Sequence, residues 1–285
     1  MKKLLSLVMC ILIIGSVSCS RAKELVEKKV STEVTKEIGN FIEFMNYGYF
    51  DESEFVEKYT LTDGKLKDLP YSQIWDLQRA SANDFMNEDI EVYKILVKNH
   101  RLSNLPGNKL SETEVFIMLS DGNIMGGYSI PKLDTVGSVY SIDGWDNDEL
   151  TKELKANPVV ETKSTDKKII ATEVYTGYIK ANSTDWWNVE RNKLDREPIQ
   201  TVLDYKITSI NMTNEFEDFF TVSIGYDIKS VKESSQWVAG NGEDGPDNWI
   251  INKSGFADIM KVGENKYIKI KGYTGYYTRG NTYKD

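Results

Sequence analysis

Histidine and cysteine, the usual ligands of transition metals, number only one and two in this 285-residue chain, and the spacing of the carboxylates narrows the chemistry further. The one histidine, His100, lies in the polar run Asn99-His100-Arg101. A catalytic imidazole needs a nucleophile within reach and a group that orients it, and no Gly-x-Ser-x-Gly turn occurs, so a surface histidine is expected. Metal motifs that use two histidines are excluded by the count. Gly240-Asn241-Gly242-Glu243-Asp244-Gly245 satisfies G-x-G-x-x-G, but Pro246 and the strand-like Trp249-Ile250-Ile251 follow where a dinucleotide loop needs a helix, and two carboxylates would repel phosphate. The same loop offers Asn241, Glu243, Asp244, Asp247 and Asn248 as oxygen donors, at a spacing that misses the calcium-loop pattern; a solvated hairpin loop is the expectation. Asp143, Asp146, Asp148 and Glu149 form a second acidic cluster, suited to the first turn of a helix. Glu215 with Asp218 is a carboxylate pair of the kind that hydrolyses glycosides, in a chain whose 44 acids make such pairs common. Trp186, Trp187, Tyr205, Trp237 and Trp249 are the candidates for lining a ligand pocket, where they would stack on a sugar or another flat ligand. No catalytic residue, metal or cofactor is assigned.

Both cysteines, Cys10 and Cys19, fall within the first 20 residues, MKKLLSLVMCILIIGSVSCS. A basic start, an apolar run from Leu4 to Val17 and small residues before a cysteine are the parts of an export signal. The run is interrupted by Ser6, Gly15 and Ser16 and falls short of the ~20 residues that span a bilayer. Ser16-Val17-Ser18-Cys19 resembles the lipobox of bacterial lipoproteins, with Ser16 where that family usually has Leu. The resemblance implies that residues 1–18 are a lipoprotein signal peptide and that the Cys19 thiol receives diacylglycerol and further fatty chains such as palmitate. It implies a lipid-anchored protein on the extracytoplasmic face of the cell membrane, with 19–45 as anchor spacer and first helix. No thiol would then remain for a disulfide, a nucleophile or zinc.

Composition restricts the partners. With 35 basic and 44 acidic residues the net charge is −9, and removal of Lys2 and Lys3 leaves 33 against 44, or −11. No basic stripe is present to neutralise phosphates, which excludes nucleic acid, and an anionic lipid surface would repel the body. Apolar residues at 40% and aromatics at 11% indicate globular structure.

The elements that position these residues follow from periodicity. Leu25, Val26, Val30, Val34, Ile38, Phe41, Ile42 and Met45 form one helical stripe. Asp51 to Lys67 carries mixed signals. Pro70 opens a second helix with Tyr71, Ile74, Trp75, Gln78, Ala82, Phe85 and Met86 on one face. Strands are expected at Ile90 to Val97, Glu114 to Ser120, Asn123 to Ile130 and Ser138 to Ile142, with Asp121-Gly122 as a two-residue hairpin turn. Gly126-Gly127 marks a bulge or a close backbone approach. Asp146 to Ala156 reads as a short helix closing an N-terminal α+β domain at 46–157, and 158–165 as a linker. A C-terminal domain at 166–276 begins with a helix from Asp166 to Ala181, capped by Thr165, and a short helix from Asp185 to Leu194. Strands follow at Thr201 to Asn211, Asp218 to Val231, Asn248 to Val262 and Lys266 to Tyr273, before a polar tail, 277–285.

The fold class is therefore α+β, as two small domains, each with helices packed on an antiparallel sheet. Two helices followed by long antiparallel strands, ending in Tyr267-Ile268-Lys269-Ile270-Lys271-Gly272-Tyr273-Thr274-Gly275, resemble the nuclear-transport-factor-2-like, cystatin-like fold found in uncharacterised lipoproteins of Gram-positive bacteria. That likeness implies a curved sheet around a helix, leaving a cone-shaped pocket; some members are enzymes and many only bind. Asn123 to Gly144, with GGYSIP and VYSIDG, is also similar to stretches of clostridial-type lipoproteins. The reading is a membrane-anchored envelope protein that binds a small molecule, a glycan or another envelope protein. The alternatives are a small hydrolase using carboxylates in the C-terminal pocket and, below it, a solute receptor, for which the alternating βαβ pattern is missing.

Overall fold

The apolar stripe of the first helix becomes α1, Thr32–Phe44, in a computed structural model that describes residues 32–49, 53–108, 110–133, 138–231, 237 and 241–270. Ile38, Phe41, Ile42 and Phe44 are its buried side. The helix closes on Asn46, whose φ of 56° is the left-handed cap conformation, and on a bond from the Tyr47 N–H to the Ile42 carbonyl at 3.0 Å. The signal peptide, Cys19 and the tail lie outside the described residues, as does the expected part of this helix before Thr32.

A first sheet is built on β3 (Asp89–Lys98). One side of β3 pairs with β1 (Gly48–Tyr49) and β2 (Glu54–Thr60), the other with β4 (Thr113–Ser120), which continues to β5 (Asn123–Pro131) and β6 (Tyr140–Ser141). All pairings are antiparallel. Asp121 and Gly122, at φ 48° and 83°, make the expected β4–β5 turn. The close approach foreseen at Gly127 is real: a Cβ there would stand 2.2 Å from the Phe116 carbonyl oxygen. Strand β2 comes from the stretch of mixed signals, because its outward Glu54 and Lys58 and a bulge between Phe55 and Glu57 obscure the alternation.

The second helix is shorter than its periodicity predicts. It runs only over α2, Tyr71–Asp76, with a 3-10 turn later at Ala82–Phe85. The cause is Gln78, which turns inward. Its Nε2 donates to the Ile74 and Gly127 carbonyls at 2.7 and 3.0 Å, and its Oε1 accepts from the Gly127 N–H at 2.8 Å. This buried amide fills the space that Gly126 leaves over β5, where a Cβ would stand 2.4 Å from its Oε1, and the chain gives up its next helical turn to seat it.

Helix α3 (Asn147–Ala156) starts in a full capping box between Asp146 and Glu149. The segment expected as a linker, 158–165, carries β7 (Val160–Glu161), an edge of the second sheet. Helix α4 (Lys167–Ala181) is capped by Asp166, whose carboxylate accepts from the Lys168 and Ile169 N–H groups, and not by Thr165. After α5 (Trp186–Arg191) come β8 (Val202–Glu215), β9 (Phe219–Ser230), β10 (Glu243–Asp244), β11 (Trp249–Gly263) and β12 (Lys266–Ile270). The sheet order is β7-β12-β11-β9-β8, with β10 against β11. Register shifts at Val202/Asp204, Ile207/Ser209 and Met212/Asn214 bend β8, and the sheet curls into a half-barrel.

One face of this sheet holds α4, through Ile170, Val174 and Ile179 against Val222, Ile224 and Ile259. At one end of the other face, Phe219, Met260, Val262, Ile268 and Ile270 join the core of the first sheet. Phe41 and Phe44 of α1 meet Phe219 with ring centroids 5.6 and 4.8 Å apart. Lys266 reaches Asp84 at 2.7 Å. The molecule is thus α+β, with two antiparallel sheets that share a core. No helix among the described residues is long and apolar enough to cross a membrane.

On α1, burial and the nearby Asp218 carboxylate raise the Glu37 carboxyl above its ordinary range. A raised acid weakens the fold once it ionises, and the penalty is absent below the unfolded-state value. Glu37→Gln is therefore expected to raise the melting temperature at pH 8 by roughly 1–2 °C and to leave it unchanged near pH 3.5, read by differential scanning calorimetry.

Candidate functional site

The densest polar arrangement lies under the turn after β6. Arg79, one residue beyond Gln78, is buried and places its guanidinium 2.6 Å from the Asp143 carboxylate. Asp143 also accepts from the Ser141 hydroxyl at 2.7 Å and the Trp145 indole N–H at 2.9 Å. The turn is held by the Ser141 N–H on the Trp145 carbonyl at 2.8 Å and by Gly144 at φ 86°. Outside it, the Arg101 guanidinium stacks 3.6 Å from the Trp145 ring centroid and pairs with Glu149 at 2.6 Å. Burial acts to raise the Asp143 carboxyl, but the Arg79 charge and hydrogen bonds overcome it and hold the group below the ordinary range. The acidic cluster of the sequence thus divides: Asp146 and Glu149 cap α3 as expected, while Asp143 is an interior anion.

His100 is fully buried beside this turn, which corrects the surface placement. Its Nδ1 accepts from the Leu102 N–H at 3.1 Å, so the proton sits on Nε2, which donates to the Ile142 carbonyl at 3.0 Å. Tyr47 packs against the ring, with centroids 5.0 Å apart, and a Cβ on Gly144 would come within 3.0 Å of it. Burial pushes the imidazole down to about 4. Both ring nitrogens are spent on backbone, and the histidine ties the Arg101 segment to the β6 turn. Only the later glycine, Gly144, hints at this packing in the sequence.

The five aromatic pocket candidates separate. Trp186 is buried and donates to the Ala181 carbonyl at 3.0 Å; Trp237 is buried and donates to the Asn182 carbonyl at 3.0 Å. Together they cap the C-terminal end of α4. Trp187 is 46% exposed, edge-on to Trp186 at 5.7 Å. Tyr205 packs half-buried on the α4 side of the sheet. Trp249 pairs with Lys229, one residue from the Ile250–Ile228 pair whose side chains face α4, so it points to the opposite face and cannot share a pocket with Tyr205. Glu215 and Asp218 are each ion-paired with a lysine: Lys167 at 3.2 Å and Lys261 at 3.2 Å. In the glycine-rich loop, Asn241 is committed to Ser254, donating to its carbonyl at 2.8 Å and accepting from its N–H at 3.2 Å. No group of three metal-ligating side chains occurs among the described residues.

Open space lies instead beside β1. A groove of about 310 Å³ runs along the exposed side of α1, floored by Gly39 and Asn40 and walled by Asn46, Tyr47 and Tyr49. Lys36 and Glu43 stand at its rim with opposite charges. Across β1 a second hollow of about 160 Å³ is lined by Lys98, Asn99, Ser103, Asn104, Leu110 and Ser111. Gly48, between Tyr47 and Tyr49 of the first groove, pairs with Lys98 of the second, and a Cβ on Gly48 would lie 3.8 Å from the Asn99 amide nitrogen. Tyr49 is 61% exposed. Gly39 is the surprise of this site, because nothing lies within 4 Å of where its Cβ would be. A glycine inside a helix costs about 1 kcal/mol relative to alanine, and packing does not require this one. Sequence reasoning passed over the site because its residues are polar and scattered over 36–111.

Comparison with protein-family models, with curated proteins and with solved structures finds no match.

Proposed function

We propose that the protein is a lipid-anchored module of the cell envelope that binds a ligand or an envelope protein without catalysing a reaction. The address rests on the export pattern of residues 1–18 and on Cys19. What supports binding over catalysis is how the interior polar groups are used: the Asp143 carboxylate is taken up by Arg79, Ser141 and Trp145 and both ring nitrogens of His100 by backbone, while the open grooves lie at the surface. The pairing of Glu215 and of Asp218 each with its own lysine speaks against the hydrolase alternative. We read the C-terminal half as a nuclear-transport-factor-2-like cone, supported by α4 lying along a curled antiparallel sheet, with its hollow largely filled by side chains. The division into two small domains belongs to the same reading, since among the described residues strand pairing does not cross from one sheet to the other.

The anchor is tested by expressing the full chain in a Gram-positive host with labelled palmitate. The wild type is expected in the membrane fraction, carrying label. Cys19→Ala should lose the label and leave the membrane fraction almost entirely, a change of at least tenfold, since each buried methylene of the missing chains contributes ~0.8 kcal/mol. An unlabelled wild type, or a variant that stays membrane-bound, would sink the proposal.

A further inference from the structure

We infer that the paired grooves beside β1 bind a neutral, hydroxyl-rich glycan, with Tyr49 as the stacking platform and the side-chain amides of Asn40, Asn46 and Asn99 as the polar contacts. This rests on the reading of the protein as a binding module and supplies its ligand class. The lining explains the choice. An asparagine amide both donates and accepts, which matches a sugar hydroxyl that does the same. Asn46 also serves as the helix cap and Asn40 also bonds to Glu37, yet each retains amide capacity toward the groove. The exposed tyrosine ring offers an apolar face for the C–H side of a pyranose. Lys36 and Glu43 cancel at the rim, and the chain as a whole is acidic, which favours an uncharged ligand over a phosphate or a nucleotide. A groove of this size falls at the lower end of the range for small-ligand sites, and the second hollow lies one strand over, at Lys98, the pairing partner of Gly48. Gly39 then has a reason: its missing side chain keeps the floor open where the helix would otherwise fill it.

The test uses the full chain in a sugar-free detergent, titrated calorimetrically with cellotetraose and with the tetramer of N-acetylglucosamine. Binding of at least one is expected, and Tyr49→Ala and Gly39→Leu should each weaken it tenfold or more. Both variants should keep the wild-type melting temperature or exceed it, since Tyr49 is exposed and leucine is a better helix former than glycine. Absence of binding by the wild type to either sugar, or wild-type affinity in both variants, would overturn the inference. Membrane attachment through Cys19 is scored separately, so loss of sugar binding with the anchor intact removes the glycan and leaves the address standing.

Discussion

Arg79→Ala is expected to cost about 3–5 kcal/mol of folding stability, because it leaves the Asp143 carboxylate buried without its counter-charge. Both side chains are only 6% exposed, so water cannot replace the lost partner. The Ser141 and Trp145 donors would remain, and they satisfy hydrogen-bonding capacity without neutralising the charge. Replacing both partners, as Arg79→Met with Asp143→Leu, should recover much of the loss, since the cost lies chiefly in the orphaned ion. Urea denaturation followed by tryptophan fluorescence measures each change. The shared core makes a further demand on the same experiment: Arg79 lies in the half built on the first sheet, yet the transition of the second sheet should move with it, because Phe219, Met260 and Ile268 pack into one cluster with Phe41 and Ile117. A loss below 1 kcal/mol for Arg79→Ala would mean that the pair is solvated in solution.

The second large effect is acid sensitivity centred on His100. Its imidazole is held down to about 4 in the folded protein against an unfolded value near 6.5. Below 6.5 the unfolded chain binds a proton that the folded chain refuses, so stability falls as pH drops from 6.5 to about 4 and then levels for this group. The difference of roughly 2.5 units corresponds to about 3 kcal/mol. Burial is the leading cause; the bond to Ile142 and the Asp143 carboxylate act the other way, and Arg101 reinforces the depression. The window separates this titration from that of Asp143, whose lowered carboxyl contributes stability above its unfolded value, near 3.8, and loses it in stronger acid. Glu37 works in the opposite direction, losing its penalty on acidification. Urea midpoints measured from pH 7.5 to 4 should fall steeply for the wild type and much less for His100→Gln, whose amide can keep the bond to Ile142. An equal slope in both would assign the acid loss to other groups.

Much of this architecture is legible in the chain, and its failures have physical causes. The Asp121-Gly122 turn, the helix from Lys167 to Ala181 and the long strands after Val202 follow from local chemistry and from periodicity, because each element buries one continuous face. The second helix broke that logic: Ile74, Trp75 and Gln78 share a helical face, but a backbone 49 residues away claims the glutamine. His100 was misplaced for a related reason. Its neighbours in sequence are polar, while those that bury it are Tyr47, Ile142 and Gly144. The aromatic candidates were identified by type, and type does not say which face of a strand a residue takes; one register position sends Trp249 away from Tyr205. The groove beside β1 has no signature because its informative residue is a glycine, which adds nothing to the helical stripe of Leu25 to Met45 and leaves room in space.

The bends in β8 have a consequence for how copies of this protein tolerate one another. As the outer member of its sheet, this 14-residue strand would, if flat, expose a long row of unpaired amides and carbonyls, a template on which a second molecule could zip. The three irregularities break that row, leaving stretches such as 204–207 and 209–212 that are too short and too twisted to sustain stacking. Copies of this chain at high concentration would thereby find no long flat edge at β8 on which to stack.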